Sequence, residues 1–131
     1  MKLNGQYYRS IALSDDGWSV RIFDQRKLPW TLEVVNLTTV EQAARAIAEM
    51  WTRGAPLLAA TGAYGLCLAL RDDALDENLE KSYQTLLATR PTAVNLRWAL
   101  DEIKRAAQPL QGQERIRAAY ARAAALCDED V

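Results

Sequence analysis

Arg53-Gly54-Ala55-Pro56-Leu57-Leu58-Ala59-Ala60-Thr61-Gly62-Ala63-Tyr64-Gly65-Leu66-Cys67-Leu68-Ala69-Leu70-Arg71 is the stretch that decides the fold. Between its terminal arginines, Ala55 to Leu70 forms a run of 16 residues without a charge. Crossing a bilayer takes about 20 such residues. This run is shorter, fenced by charge and rich in alanine and glycine, so it reads as a helix buried on all sides in a bundle.

Helical periodicity extends on both sides of it. Thr38-Thr39-Val40-Glu41-Gln42 has the form of an N-cap followed by a capping glutamate or glutamine, and Val40, Ala43, Ala44 and Ile47 then share one side, with Met50-Trp51 closing it. A third helix is expected over 75–88, with Leu79, Tyr83, Leu86 and Leu87 inward. A fourth is expected from Pro91, where Ala93, Leu96, Leu100, Ile103 and Ala107 recur at three and four residues. Pro109 to Gly112 breaks it, and a last helix runs from Gln113 to about Cys127. Three acids, Asp128, Glu129 and Asp130, then stand where the macrodipole prefers cations; they read as a frayed tail or as the approach to a further domain.

Upstream the period is that of strands. Tyr7 to Leu13 is β-prone, Ser14-Asp15-Asp16-Gly17 is a turn signal, and Trp18-Ser19-Val20-Arg21-Ile22-Phe23-Asp24 alternates, placing Trp18, Val20 and Ile22 on one face. With Thr31 to Leu37 these make a three-stranded antiparallel sheet. The expected fold is therefore α+β: a β-rich subregion over 1–37 and a bundle of about five helices over 38–131, in a single domain.

Composition narrows the chemistry. The 131 residues are half hydrophobic and a quarter charged, with a net charge of −1. No basic stripe exists for nucleic acid or an anionic membrane. Histidine is absent, which removes histidine bases, the Ser-His and Cys-His nucleophile schemes and most zinc sites from this chain. Cys67 and Cys127 have no metal-ligand spacing, Cys67 sits where packing is expected, and the N-terminus lacks a signal-peptide core. A reducing cytoplasm is the expected compartment.

Two helix starts carry the functional signal: Arg53-Gly54-Ala55-Pro56 and Arg90-Pro91-Thr92. In each, proline fits the first helical position, and an arginine stands beside the positive end of the dipole, unfavourable by up to about 1 kcal/mol unless an anion is also there. Helix N-termini hold phosphate through backbone N–H groups, arginine adds a forked donor, and Gly54 lets a ligand approach the backbone. The alternative is that these arginines pair with Asp24, Glu33 or Glu49. Asp24, with Gln25 and Arg26, reads as a turn. Trp18, Trp51 and Trp98 read as core or domain-contact aromatics, Asp101 and Arg105 as a surface ion pair, and Arg115, Arg117 and Arg122 as a solvated helix face.

At these residues the chain resembles a known family. Ile22-Phe23-Asp24-Gln25-Arg26-Lys27-Leu28-Pro29, Arg53-Gly54-Ala55-Pro56, Ala63-Tyr64-Gly65 and Arg90-Pro91-Thr92-Ala93-Val94-Asn95-Leu96 are similar to the motifs of the S-methyl-5-thioribose-1-phosphate isomerases. These belong to the superfamily of the α, β and δ subunits of translation initiation factor 2B. The resemblance runs through essentially the whole chain but covers only the front part of the family's length. It implies an aldose–ketose isomerisation in methionine salvage, in which ring opening is assisted before a hydrogen moves between C1 and C2. It implies substrate contact by Arg53, Gly54 and Ala55, and phosphate binding by Arg90. The sugar phosphate is then the ligand, with no cofactor or metal and no membrane or nucleic-acid partner, and the intact protein is a homodimer.

Two departures stand out. Leu57-Leu58-Ala59 replaces the family's usual Ala-Ile-Gly, and the catalytic cysteine and aspartate belong to a later Rossmann-like domain, so no catalytic residue is expected in this chain. A non-catalytic module like the initiation-factor subunits and a ribose 1,5-bisphosphate isomerase are the alternatives.

Overall fold

A computed structural model of the chain describes residues 2–3, 6–7, 11–13, 18–24, 33–49, 55–90 and 92–129. It is α+β. A short ribbon pairs β1 (Lys2–Leu3) with β2 (Gln6–Tyr7), and an antiparallel sheet runs β3 (Ile11–Leu13), β4 (Val20–Asp24), β5 (Glu33–Leu37). The β1–β2 ribbon takes Tyr7 from the run expected as the first strand, and β1 lies ahead of that run. In the sheet, Val20 opposes Leu37 and Ile22 opposes Val35. Paired residues point to one face, so Val20, Ile22 and Leu37 are buried together.

Among the described residues five helices follow: α1 (Val40–Ala48), α2 (Ala55–Asp72), α3 (Asp76–Thr89), α4 (Val94–Ala107) and α5 (Gly112–Glu129). The start of α1 is capped as expected. Thr39 Oγ1 accepts from the Gln42 N–H at 3.1 Å, and Gln42 Oε1 accepts from the Thr38 N–H at 2.6 Å. Helix α2 is the axis of the bundle, contacting α1, α3, α4 and α5. Every residue from Ala59 to Leu70 is buried, which accounts for its lack of amphipathic period. No described helix is long and apolar enough to cross a membrane.

Small residues let neighbours approach α2 closely. A Cβ on Gly65 would lie 2.7 Å from the Ala43 Cβ of α1, and one on Gly62 would lie 2.3 Å from Leu96 Cδ1 of α4. The first obstacle is fixed to a helix backbone; the second is the end of a side chain that can turn. Gly65→Ala is therefore expected to destabilise by about 1–2 kcal/mol, the overpacking cost exceeding the gain in helix propensity. Gly62→Ala should cost less, and urea unfolding of the pair checks that order.

Three expectations are corrected. Helix α4 begins at Val94 rather than Pro91, because the Ala93 N–H turns back to the Arg90 carbonyl at 3.0 Å and Ala93 takes the extended N-cap conformation. Asp101 does not pair with Arg105: the Tyr83 hydroxyl donates to Asp101, while Arg105 pairs with Glu102, one turn nearer the helix start. Arg115 is not solvated. Only 2% exposed, it donates from Nε to the Ala107 and Leu110 carbonyls (3.1 and 2.7 Å), from Nη1 to Ala74 (2.7 Å) and from Nη2 to Gln108 (3.0 Å), and it pairs with Asp76 at 2.6 Å. It thereby gathers the carbonyl end of α4 and the α2–α3 turn. Arg122 reaches Glu102 at 2.7 Å, whereas Arg117 is exposed as expected. Gly112, at φ 58°, takes the left-handed conformation that turns the chain into α5.

Burial first, and the Asp101 carboxylate second, push the Tyr83 phenol above 10.0, with Arg97 opposing. A raised value in the folded state means the fold holds this proton more tightly. Its contribution is thus intact below about pH 10 and is lost as pH rises through the folded value. Tyr83→Phe should cost about 1 kcal/mol at neutral pH and flatten the alkaline decline of thermal stability relative to wild type.

Candidate functional site

The site is built where α2 and α4 begin side by side. Gly62 lets Leu96 sit directly on α2, and Leu58 lies one turn before Gly62, in the first turns of α2. The first turn of α4 therefore lies against the start of α2. Between them is a hollow of about 250 Å³ lined by Leu58, Ala93, Val94, Asn95 and Leu96.

Its electrostatics follow from what the two helices lack. Helices α1, α3 and α5 each have acid in the first turn (Glu41; Asp76 and Glu77; Glu114), while α2 and α4 have none. Ala93, the N-cap of α4, supplies no side-chain acceptor to the first-turn N–H groups. Among the described residues lining the hollow, none is a carboxylate that would neutralise the positive end of the α4 dipole, the arrangement that favours an anion.

Arg90 caps the end of α3, three residues ahead of Ala93. It is half-buried, and its Nε donates to the Ile47 carbonyl of α1 at 3.4 Å. Among the described residues its guanidinium has that one hydrogen bond, which leaves Nη1 and Nη2 for another acceptor. Glu49, one of the carboxylates weighed as an arginine partner, pairs with Arg45 at 2.6 Å. Ala55 is the first residue of α2. Arg53 and Gly54 lie outside the described residues, as do Trp51 and Pro91; Asp24 and Glu33 are described only as strand residues.

Sequence reasoning singled out Arg90 and Ala55 but not Leu58, Val94 or Asn95. Val94 and Asn95 stood within the run from Arg90 to Leu96, and their place directly after a charged helix entry was the available signal. Cys67 is buried, in keeping with packing, and Trp18 is half-buried beneath the Arg71 guanidinium, 3.9 Å from its ring centre. Among the described residues no group of three or more His, Cys, Asp or Glu is placed to hold a metal ion.

Residues 51–130 match the Initiation factor 2 subunit family. The chain is 57% identical over 130 residues to a methylthioribose-1-phosphate isomerase of Paramagnetospirillum magneticum, a match covering 99% of this chain and 36% of that protein. It is 58% identical over 132 residues to that of Acidiphilium cryptum, covering 100% and 36%. Among solved structures it resembles subunit delta of translation initiation factor eIF-2B from A. fulgidus, with TM-score 0.84 and 40% identity over 95% of this chain and 38% of that one. It also resembles the 5-methylthioribose 1-phosphate isomerase of Pyrococcus horikoshii, with TM-score 0.84 and 33% identity over 95% and 37%. The chain spans about 36% of the length of the curated relatives it matches.

Proposed function

Since the chain belongs to the Initiation factor 2 subunit family, we propose that it is the N-terminal, phosphate-holding portion of an aldose–ketose isomerase. The substrate is S-methyl-5-thioribose 1-phosphate and the product the corresponding thioribulose 1-phosphate, a step of methionine salvage. Arg90 binds the phosphate, and Arg53, Gly54 and Ala55 contact the substrate from the start of α2. The reading is supported by identities of 57 and 58% to isomerases. One observation carries it: an arginine leads into a helix start that has no acid of its own, beside the start of a second helix of the same kind.

In this arrangement the chain's own groups bind and orient. Two guanidinium groups and the α4 dipole fix the dianion, and the phosphate in turn fixes the anomeric carbon that carries it. The groups that move protons or hydride belong to a following, Rossmann-like domain, and the intact enzyme is a homodimer. The test is turnover of methylthioribose 1-phosphate by the polypeptide continued to its relatives' length. Normal turnover after loss of both Arg53 and Arg90 would refute the assignment.

A second reading has one observation in its favour, the 40% identity to a chain described as an initiation-factor subunit. On that reading the domain joins a multi-subunit assembly without catalysis. Absence of isomerase activity from the continued polypeptide, with co-purifying protein subunits, would favour it.

A further inference from the structure

We propose that the outward stripe of α4 formed by Val94 and Trp98 is a docking surface for the segment that follows α5 in the longer relatives. Large apolar side chains in the open are few among the described residues: Leu75, Val94 and Trp98, at 67%, 75% and 47% exposure. Two of these three stand one turn apart on a single helix, so they form one patch rather than scattered exposure. The hollow beside Val94 continues that apolar surface to Leu58.

The register of the last two helices identifies the occupant. Arg115 near the start of α5 bonds the Ala107 carbonyl at the end of α4, and Arg122 pairs with Glu102 near its middle. The helices are therefore antiparallel, and extending this register sets the last turn of α5 beside Val94 and Trp98. The polypeptide leaves α5 at the same end of the bundle as the exposed stripe. In the curated relatives roughly two thirds of the chain lies outside the match. A continuing segment reaches the stripe without a long connection, whereas a second copy has no such tether. The inference rests on the proposed function in one respect: groups that act on a sugar phosphate held at the start of α4 must approach this same end.

Hydrogen exchange tests it. The probe is this chain alone and this chain continued by the following segment of the Acidiphilium cryptum relative. In the continued polypeptide the amides of Val94 to Trp98 should exchange about tenfold or more slowly than in the chain alone. The pair Val94→Asp/Trp98→Gln should abolish that difference, with Val94→Ser/Trp98→Gln as a milder version if the first disturbs folding. Both should leave the unfolding midpoint of the chain alone nearly unchanged, because Val94 and Trp98 are largely exposed; in the first variant the acid at the first helical position also suits the dipole. Equal exchange in the two polypeptides would overturn the proposal, as would protection that survives both variants. So would self-association of the chain alone that either variant abolishes, since the occupant would then be a second copy. No ligand is present in this experiment, so its outcome is separate from that of Arg90→Ala on turnover: either can fail while the other holds.

Discussion

Arg90→Ala, made in the polypeptide continued to its relatives' length, is expected to lower kcat/KM for methylthioribose 1-phosphate by about 100- to 1,000-fold. Removing one side of a desolvated, charge-paired contact costs on the order of 3–4 kcal/mol, and each 1.4 kcal/mol is a factor of ten. Stability should fall far less. The half-buried guanidinium makes one described internal bond, the 3.4 Å contact with the Ile47 carbonyl, worth about 1 kcal/mol at most. Steady-state kinetics beside thermal unfolding separates the two effects. Arg90→Lys keeps the charge but not the planar fork, so about a tenfold loss is expected. Should Arg90→Ala unfold the protein instead, its role is structural and the phosphate assignment fails.

Arg115→Ala is expected to cost about 3–5 kcal/mol and to lower the midpoint of thermal unfolding by roughly 10–20 °C. The side chain is buried and makes four hydrogen bonds to backbone carbonyls and an ion pair to Asp76. Its loss takes a donor from the part-buried Gln108, Leu110 and Ala74 carbonyls and one of two from the Ala107 carbonyl, which keeps the Leu110 N–H at 3.0 Å. Unpaired buried acceptors are costly, and a domain of this size has only about 5–15 kcal/mol in total. Arg115→Lys should recover little, because one ammonium cannot reach four acceptors in a planar spread. Asp76→Ala should cost much less, since that carboxylate is largely exposed. Chemical unfolding of the three variants checks the ranking; equal losses for Asp76→Ala and Arg115→Ala would mean that the ion pair, and not the carbonyl cluster, dominates.

The contrast between these two arginines shows which parts of the fold were legible in the chain. Local signals read true: Thr39 and Gln42 capped α1 as their spacing suggested, and the charge-free run became the central helix. Arg90 stood out as a candidate because its signal lies in its immediate neighbours, a proline and the turn that leads into α4. Arg115 was not. On its own helix it belongs to a row of arginines with alanines between them, which looks like a solvated face. What buries it lies elsewhere, in the carbonyls that end α4 and in the turn at Ala74, brought there by tertiary packing. Asp101 shows the same limit, since the spacing to Arg105 is ideal for a surface pair but Tyr83, 18 residues away, takes the carboxylate. The start of α4 was misplaced by a local competition, the turn from Arg90 to Ala93 forming before the helix.

The all-round burial of α2 has a consequence for biosynthesis. Its contacts with α4 and α5 are supplied by residues translated after it. At about 5–20 residues per second, several seconds pass between the emergence of Asp72 and that of Glu129. When Asp72 emerges, the nascent chain displays a charge-free, apolar segment with three of its four eventual helix neighbours, α3, α4 and α5, still unmade. Such a segment is what ribosome-associated chaperones bind, so the yield of soluble protein should depend on them more steeply than its modest size suggests.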